Sequence, residues 1–190
     1  MNTQYEISPE IVKDALDSLV YTTQLRNPNP LENMILVDQL LMKWQLFKWK
    51  LTRTYALDYL LTSFIEEKVF SLRYACDLQS GVEGSIREIR AAIMQDTQTL
   101  NPELISWSLI YYFYVRVEFN ISMKEYCQLY AVNERTFRRY RAHGVRRLTA
   151  HLIRREYLMW QRTSQPSFEE PMNEPDLAQI EKAMNHSPLL

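Results

Sequence analysis

Glycine is scarce in this sequence of 190 residues, which contains only three: Gly81, Gly84 and Gly144. A Gly-rich phosphate-binding loop cannot be assembled from them, because they lack the spacing that such a loop requires. Long runs in which β-branched and polar residues alternate are also rare, and β-sandwiches and barrels depend on such runs. The sequence therefore argues against both of these folds and against a nucleotide-binding loop.

Cysteine and histidine are equally sparse. Cys76 and Cys127 lie far apart in the sequence, so neither a disulfide scaffold nor a zinc site is expected. His143, His151 and His186 lack metal-ligand spacing with any acid or cysteine, and the first two are predicted to add to a basic surface. Adjacent acids on a helix do not face one another and make poor acid–base pairs. We expect no enzyme, no cofactor and no metal.

Long apolar runs are missing as well. The stretch 104–115 is interrupted by Ser106 and Ser108 and is followed by Arg116, so it is too short and too polar to cross a membrane. The first ten residues, MNTQYEISPE, are polar and acidic, which is unlike a secretory signal peptide. The resulting expectation is a cytoplasmic protein that does not associate with membranes.

Hydrophobic residues make up 46% of the chain and charged residues 24%, which is a globular composition. The net charge of −1 hides a strong asymmetry along the chain. Residues 133–162 contain nine arginines against Glu134 and Glu156, whereas residues 164–190 carry five acids against Lys182. Uneven charge of this kind bears on binding partners more than the total charge does.

Helix starts are marked by a capping residue followed by proline, which is tolerated at the first helical position. Ser8-Pro9, Asn29-Pro30 and Asn101-Pro102 have this form, so helices are predicted to start near residues 9, 30 and 102. Glu32 adds a capping box to the second start. Three-and-four spacing then continues that helix through a set of apolar residues. These are Val37, Leu40, Leu41, Trp44, Phe47 and Leu51.

The remaining chain is predicted to be mostly helical. We expect a helix from about Tyr55 to Tyr74, a loop at 77–84 and a helix near 85–94. The apolar stretch 104–117 favours a buried helix, although its aromatic and β-branched content keeps a strand possible. Residues 163–175 read as a linker, and residues 175–184 as a short amphipathic helix.

Residues 122–156 contain two helix starts in close succession. Ser122 and Glu125 form a Ser-x-x-Glu capping box that opens a helix at about Met123. Ala131 and Val132 make a tight break, and Asn133 is a second N-cap that starts a helix at Glu134. Two short helices joined by a turn of this length are typical of a helix-turn-helix.

This segment resembles the bacterial helix-turn-helix family, including its LuxR-like and sigma-factor-like versions. The resemblance covers residues 102–156, with 102–118 as the supporting first helix, and it implies DNA binding. Ala131 stands where the family prefers glycine, because the turn often needs positive φ, and alanine there would cost about 1 kcal/mol. The pattern positions are Tyr126, Cys127, Tyr130, Ala131, Val132, Phe137 and Tyr140.

The arginines provide an independent test of this interpretation. At 100° per residue, Arg135, Arg138, Arg139 and Arg146 fall within an arc of roughly 100° on the second helix. The opposite side is predicted to face the core, and Gly144 on that side is a possible site for a kink. The predicted core-facing residues are Phe137, Tyr140, Gly144, Leu148 and Leu152.

The predicted DNA-binding set lies at and just after the start of the second helix. Arg135, Arg138 and Arg139 are expected to reach guanine edges or phosphates, because arginine makes bidentate hydrogen bonds to guanine. Thr136 is assigned to a phosphate or a thymine methyl group, and capping competes for the side chain of Asn133. Arg146 and Arg147, which lie further along the helix, are expected to contact phosphates without reading the base sequence. The full set is Asn133, Glu134, Arg135, Thr136, Arg138, Arg139, Arg146 and Arg147.

The sequence thus predicts an all-α protein in three parts. Residues 1–100 form a helical module for homodimerisation or partner binding, 101–162 form the helix-turn-helix domain, and 163–190 form a linker and flexible acidic tail. The predicted function is that of a transcriptional regulator that binds double-stranded DNA. The alternative is a non-enzymatic adaptor in a larger bacterial complex or defence system, whose Arg-rich helix binds an acidic protein surface or RNA. Opposite charge also raises the hypothesis that the tail folds back on 133–162.

Overall fold

The computed structural model describes residues 6–20, 27–46, 52–78 and 84–164. Within these ranges the secondary structure is helical and contains no strand, which confirms the all-α prediction. Phe47, Leu51, most of the predicted loop at 77–84 and the predicted helix at 175–184 lie outside the described residues. The α-helices are α1 (Pro9–Val20), α2 (Ile35–Leu46), α3 (Arg53–Ala75), α4 (Ile86–Gln98), α5 (Pro102–Ile110), α6 (Met123–Leu129) and α7 (Glu134–Ser164).

The predicted helix starts at residues 9 and 102 are confirmed, but the start at 30 is only partly right. The side chain of Asn29 accepts from the Leu31 N–H at 2.9 Å, and Glu32 accepts from the Asn29 N–H at 3.2 Å. This capping box opens only a short 3₁₀ turn, Pro30–Asn33. Met34 then adopts an extended conformation, with φ −65° and ψ 145°, so the α-helix starts at Ile35 instead.

The start of α2 is capped from the far end of the chain. The two carboxylate oxygens of Glu156, on α7, accept hydrogen bonds from the N–H groups of Ile35 at 2.6 Å and Leu36 at 3.1 Å. The Glu156 residue is buried, and a negative charge at a helix N-terminus is stabilised by the helix dipole and the exposed N–H groups. This long-range cap anchors α2 to α7.

The stretch 104–117, for which a strand was also considered, is helical. Helix α5 ends at Ile110, and a π-helical turn continues it from Tyr111 to Val115. Every residue of 104–112 is buried, so this segment is covered on all sides. Helix α4 also runs longer than predicted, to Gln98 instead of about 94.

Helix α5 lies at the centre of the fold and packs against α3, α4 and α7, while α1 and α2 also pack against α7. Buried apolar side chains from 1–100 and from 101–162 belong to one hydrophobic cluster. The two predicted segments therefore share a core, and α7 contacts both of them. Whether 1–100 binds a partner stays a prediction.

Gly144 marks the closest approach between α5 and α7. A Cβ atom at this position would lie 2.6 Å from the carbonyl oxygen of Ser106 and 2.6 Å from Cγ2 of Ile110. The residue thus permits close packing, and α7 stays helical through it up to Ser164. The second helix of the pair is therefore long instead of short, and the predicted linker does not begin at 163, because Thr163 and Ser164 are still helical.

Candidate nucleic-acid interface

Helices α6 and α7 start where the sequence predicts, and residues 130–133 connect them. The Ser122 hydroxyl accepts from the Glu125 N–H at 3.2 Å, and Oδ1 of Asn133 accepts from the Thr136 N–H at 2.8 Å. The predicted capping box at Ser122 is only half formed, because the Glu125 carboxylate pairs with the Arg90 guanidinium of α4. That ion pair ties α6 to α4.

Ala131 has the positive φ that the sequence pattern predicts for the turn, with a value of 50°. Its N–H donates to the carbonyl of Gln128 at 3.1 Å, and the Val132 N–H donates to the carbonyl of Cys127 at 3.0 Å. These bonds hold alanine in a left-handed conformation that costs a non-glycine residue about 1 kcal/mol. The turn between α6 and α7 is therefore sharp and somewhat strained.

The predicted core-facing side of α7 is confirmed. Phe137, Leu148 and Leu152 are fully buried, and Tyr140 is half-buried. The ring of Phe137 lies 6.0 Å from that of Tyr126 on α6, measured between centroids. These contacts fix the rotation of α7 about its axis and so decide which side chains point outward.

Arg135, Arg138, Arg139 and Arg146 are all exposed, and we call them the arginine face. Arg138 pairs with Glu134 at 3.1 Å, but the two side chains are 64% and 63% exposed, so this ion pair is weak. The Arg139 guanidinium lies 5.9 Å from the ring centre of Tyr140. Among the described residues, the other two members have no carboxylate partner. The arginine face is therefore available to an external anion.

Other members of the predicted set are already engaged within the protein. Arg147 pairs with Glu103 of α5 at 3.3 Å, so it points away from the arginine face. The amide of Asn133 is occupied as a helix cap, and Thr136 is half-buried. Among the arginines outside the set, Arg141 lies over the Phe113 ring, 5.1 Å from its centre. Within the predicted set, the arginines without an ion pair to another described helix are thus those in the first turns of α7 and Arg146.

The prediction that both histidines extend the basic surface is wrong for His151. Its ring packs against Phe64, with 5.1 Å between centroids, and is half-buried. Burial and the nearby Arg155 guanidinium lower the pKa of His151, which favours the neutral imidazole. His143 is exposed as expected.

The thiol of Cys127 has no features of an activated nucleophile. Desolvation raises its pKa, and the nearby Glu134 carboxylate raises it further. A raised thiol pKa favours the protonated, unreactive form. The residue is half-buried and packs against the core.

A buried polar network that the sequence analysis missed ends at the turn. Arg73 of α3 donates from Nε and Nη2 to the two carboxylate oxygens of Asp96 on α4, each at 2.8 Å. The Ser108 hydroxyl of α5 donates to the same carboxylate at 2.5 Å and lies 3.0 Å from the hydroxyl of Tyr130. Tyr112 also accepts from Arg73 at 2.5 Å. The network links the first residue of the turn to three helices of the body.

An apolar patch on α7 was also missed. Ile153, Tyr157 and Trp160 are 47%, 55% and 50% exposed. The rings of the last two stack with centroids 6.0 Å apart and an interplanar angle of 25°. Their three-and-four spacing was visible in the sequence, but spacing alone does not tell whether a neighbouring element covers them.

No family model, curated protein or solved structure matches the chain. Across the described ranges, none of the helices combines the length and the apolarity needed to cross a bilayer. The same ranges hold no cluster of three or more His, Cys, Asp and Glu side chains with the geometry to bind a metal ion. The function is therefore inferred from the chemistry and geometry of α6 and α7.

Proposed function

We propose that the chain is a transcriptional regulator that binds double-stranded DNA, with the N-terminal turns of α7 in the major groove. The observation that carries this proposal is the arginine face. Its four guanidinium groups project from one side of α7, while the opposite side is anchored on α5 and α6. A helix that follows a tight turn and is held in this way is the arrangement that helix-turn-helix proteins use to read a major groove.

The positions of the arginines along α7 suggest different roles for them. Arg135, Arg138 and Arg139 lie in its first two turns, where a recognition helix contacts base edges. Arg146 lies about 16 Å further along the axis than Arg135, at 1.5 Å per residue, so it suits a phosphate contact. Asn133 caps the helix and keeps the N-terminal N–H groups ordered near the duplex.

Energetics favour release of the ion pair between Arg138 of the arginine face and Glu134. An exposed pair four residues apart on a helix, such as Glu134 with Arg138, contributes about 0.3–0.5 kcal/mol. A bidentate arginine–guanine contact is worth about 1–3 kcal/mol of discrimination between bases. Arg138 therefore gains more from DNA than it loses by leaving Glu134.

The test is a fluorescence anisotropy titration of the full chain with random and selected duplexes at several salt concentrations. If the four arginines contact phosphates, the logarithm of the association constant falls linearly with the logarithm of salt concentration, with a slope of about −3.6. We expect Arg135→Ala with Arg139→Ala to weaken binding by about 1–3 kcal/mol for each guanidinium group removed from the DNA interface.

A matched control removes two exposed charges elsewhere, with Lys43→Ala on α2 and Arg87→Ala on α4. Both double variants lower the net charge equally, so a general electrostatic effect would weaken them alike. Equal affinities for the two double variants would overturn the assignment of the arginine face. If the arginine-face variant binds more weakly than the control, genome-wide recovery of bound DNA from cells identifies the operator sequence.

The second candidate function is that of an adaptor that binds an acidic protein surface or RNA. The observation that favours a protein partner is the exposed apolar patch of Ile153, Tyr157 and Trp160 on the same helix. Exposed apolar side chains that lie together mark interaction surfaces more often than exposed single ones do. No binding of duplex at low salt would favour the adaptor over the regulator.

A further inference from the structure

The arginine face and the apolar patch form one continuous surface on α7. At 100° per residue, Ile153, Tyr157 and Trp160 fall within about 40° of the helix side that carries Arg135. The outward side of this helix is therefore basic in its N-terminal half and apolar in its C-terminal half. Arg154, which is exposed, adds positive charge beside the patch.

An occupant of this surface must offer apolar side chains followed by negative charge. A second copy of α7 fits poorly, because α7 carries nine arginines against two glutamates and the copies would repel each other. The sequence that follows α7 has the complementary composition. Residues 165–190 contain five acids against Lys182, and apolar side chains lie between the acids. These apolar residues are Phe168, Met172, Leu177, Ile180, Met184, Leu189 and Leu190.

We propose that the acidic segment 165–190 binds the outward side of α7, with its first apolar side chains on the patch and its later acids on the arginine face. DNA and the segment then compete for the same arginines, a consequence that rests on the proposed function. Chain length permits this contact. Arg139 lies about 38 Å back along the helix from Ser164, whereas the segment spans up to about 85 Å when extended.

Site-specific photo-cross-linking tests the contact without DNA. The full chain carries p-benzoylphenylalanine in place of Tyr157, and a control carries it in place of Tyr74, which is 83% exposed on α3. We expect irradiation to join position 157 to residues 165–190 of the same chain, as mapped by mass spectrometry. A covalent dimer, or no more linkage to 165–190 than the control gives, overturns the proposal.

Charge neutralisation in the segment tests the competition. We expect Glu174→Gln, Asp176→Asn and Glu181→Gln together to raise the affinity for duplex at low salt by at least about fivefold, the lower end of typical coupling between sites. A matched control neutralises three exposed acids at the other end of the chain. These substitutions are Glu6→Gln, Glu10→Gln and Asp14→Asn.

The two measurements separate the two proposals. Equal gains in affinity for both triple variants would overturn the competition, because net charge alone would then explain the effect. If no variant binds duplex while cross-linking still joins position 157 to 165–190, DNA binding fails and the intramolecular contact stands. If duplex binds but the cross-link is absent, the contact fails and DNA binding stands.

Discussion

The cap that Glu156 provides for α2 allows a quantitative prediction. Each hydrogen bond to a charged acceptor contributes about 1.5–3 kcal/mol, and Glu156 accepts two from the N–H groups of Ile35 and Leu36. Glu156→Gln preserves the shape but replaces one accepting oxygen by a donating amide, so one buried N–H loses its acceptor. The charge that stabilises the helix dipole is lost as well. We expect the free energy of unfolding to fall by about 2–3 kcal/mol.

Urea unfolding followed by circular dichroism measures this loss. With a typical slope of about 1–3 kcal/mol per molar urea, a loss of about 2–3 kcal/mol lowers the midpoint by about 0.7–3 M. The matched control is Glu67→Gln, which removes an exposed ion pair with Arg155. That pair is worth at most about 1 kcal/mol. Equal midpoints for the two variants would refute the claim that a carboxylate on α7 anchors α2.

Three further predictions concern the turn, the packing of α7 and pH. Gly144→Ala forces a Cβ atom against the Ser106 carbonyl, so we expect the free energy of unfolding, measured with urea, to fall by about 1–3 kcal/mol. A free energy of unfolding within about 0.5 kcal/mol of that of the original chain would contradict this. Ala131→Gly removes the Cβ atom that makes a positive φ costly, so we expect the free energy of unfolding to rise by up to about 1 kcal/mol in the same assay. A lower free energy of unfolding would argue against a strained turn. The pKa of His151 is lowered in the folded protein, so below about pH 6.5 the unfolded chain binds more protons than the folded one and acidification destabilises the fold. We expect His151→Asn to reduce this pH dependence of the urea midpoint. An identical pH profile for the variant and the original chain would refute this.

The features that the sequence predicted correctly are local ones. Asn101 and Asn133 cap helices through backbone groups two or three residues away, so the residue types alone reveal the starts. Ala131 takes the positive φ that its position in the turn of the pattern predicts. The arginine face follows from helical periodicity once Phe137 and Leu148 are assigned to the core.

The features that the sequence did not predict depend on contacts between distant residues. Glu156 caps the start of α2, although Glu156 and Ile35 are more than a hundred residues apart in the sequence. Arg147 belongs to the helical stretch that carries the arginine face, yet Glu103 of α5 draws it aside. His151 was assigned to the surface because its neighbours are basic, but Phe64 and Trp107 cover its ring. Such partners become known only when the packing of the helices is known.

Helix α7 packs against α1, α2 and α5, so the helix that carries the arginine face also contributes to the core of the fold. Excision of residues 101–162 would remove α1 to α4 and, with them, the packing of α1 and α2 against α7. It would also separate Asp96 from Ser108 and so cut the hydrogen-bonded chain that reaches Tyr130. This chain is consequently unsuited to the usual practice of cutting out a small DNA-binding module for study.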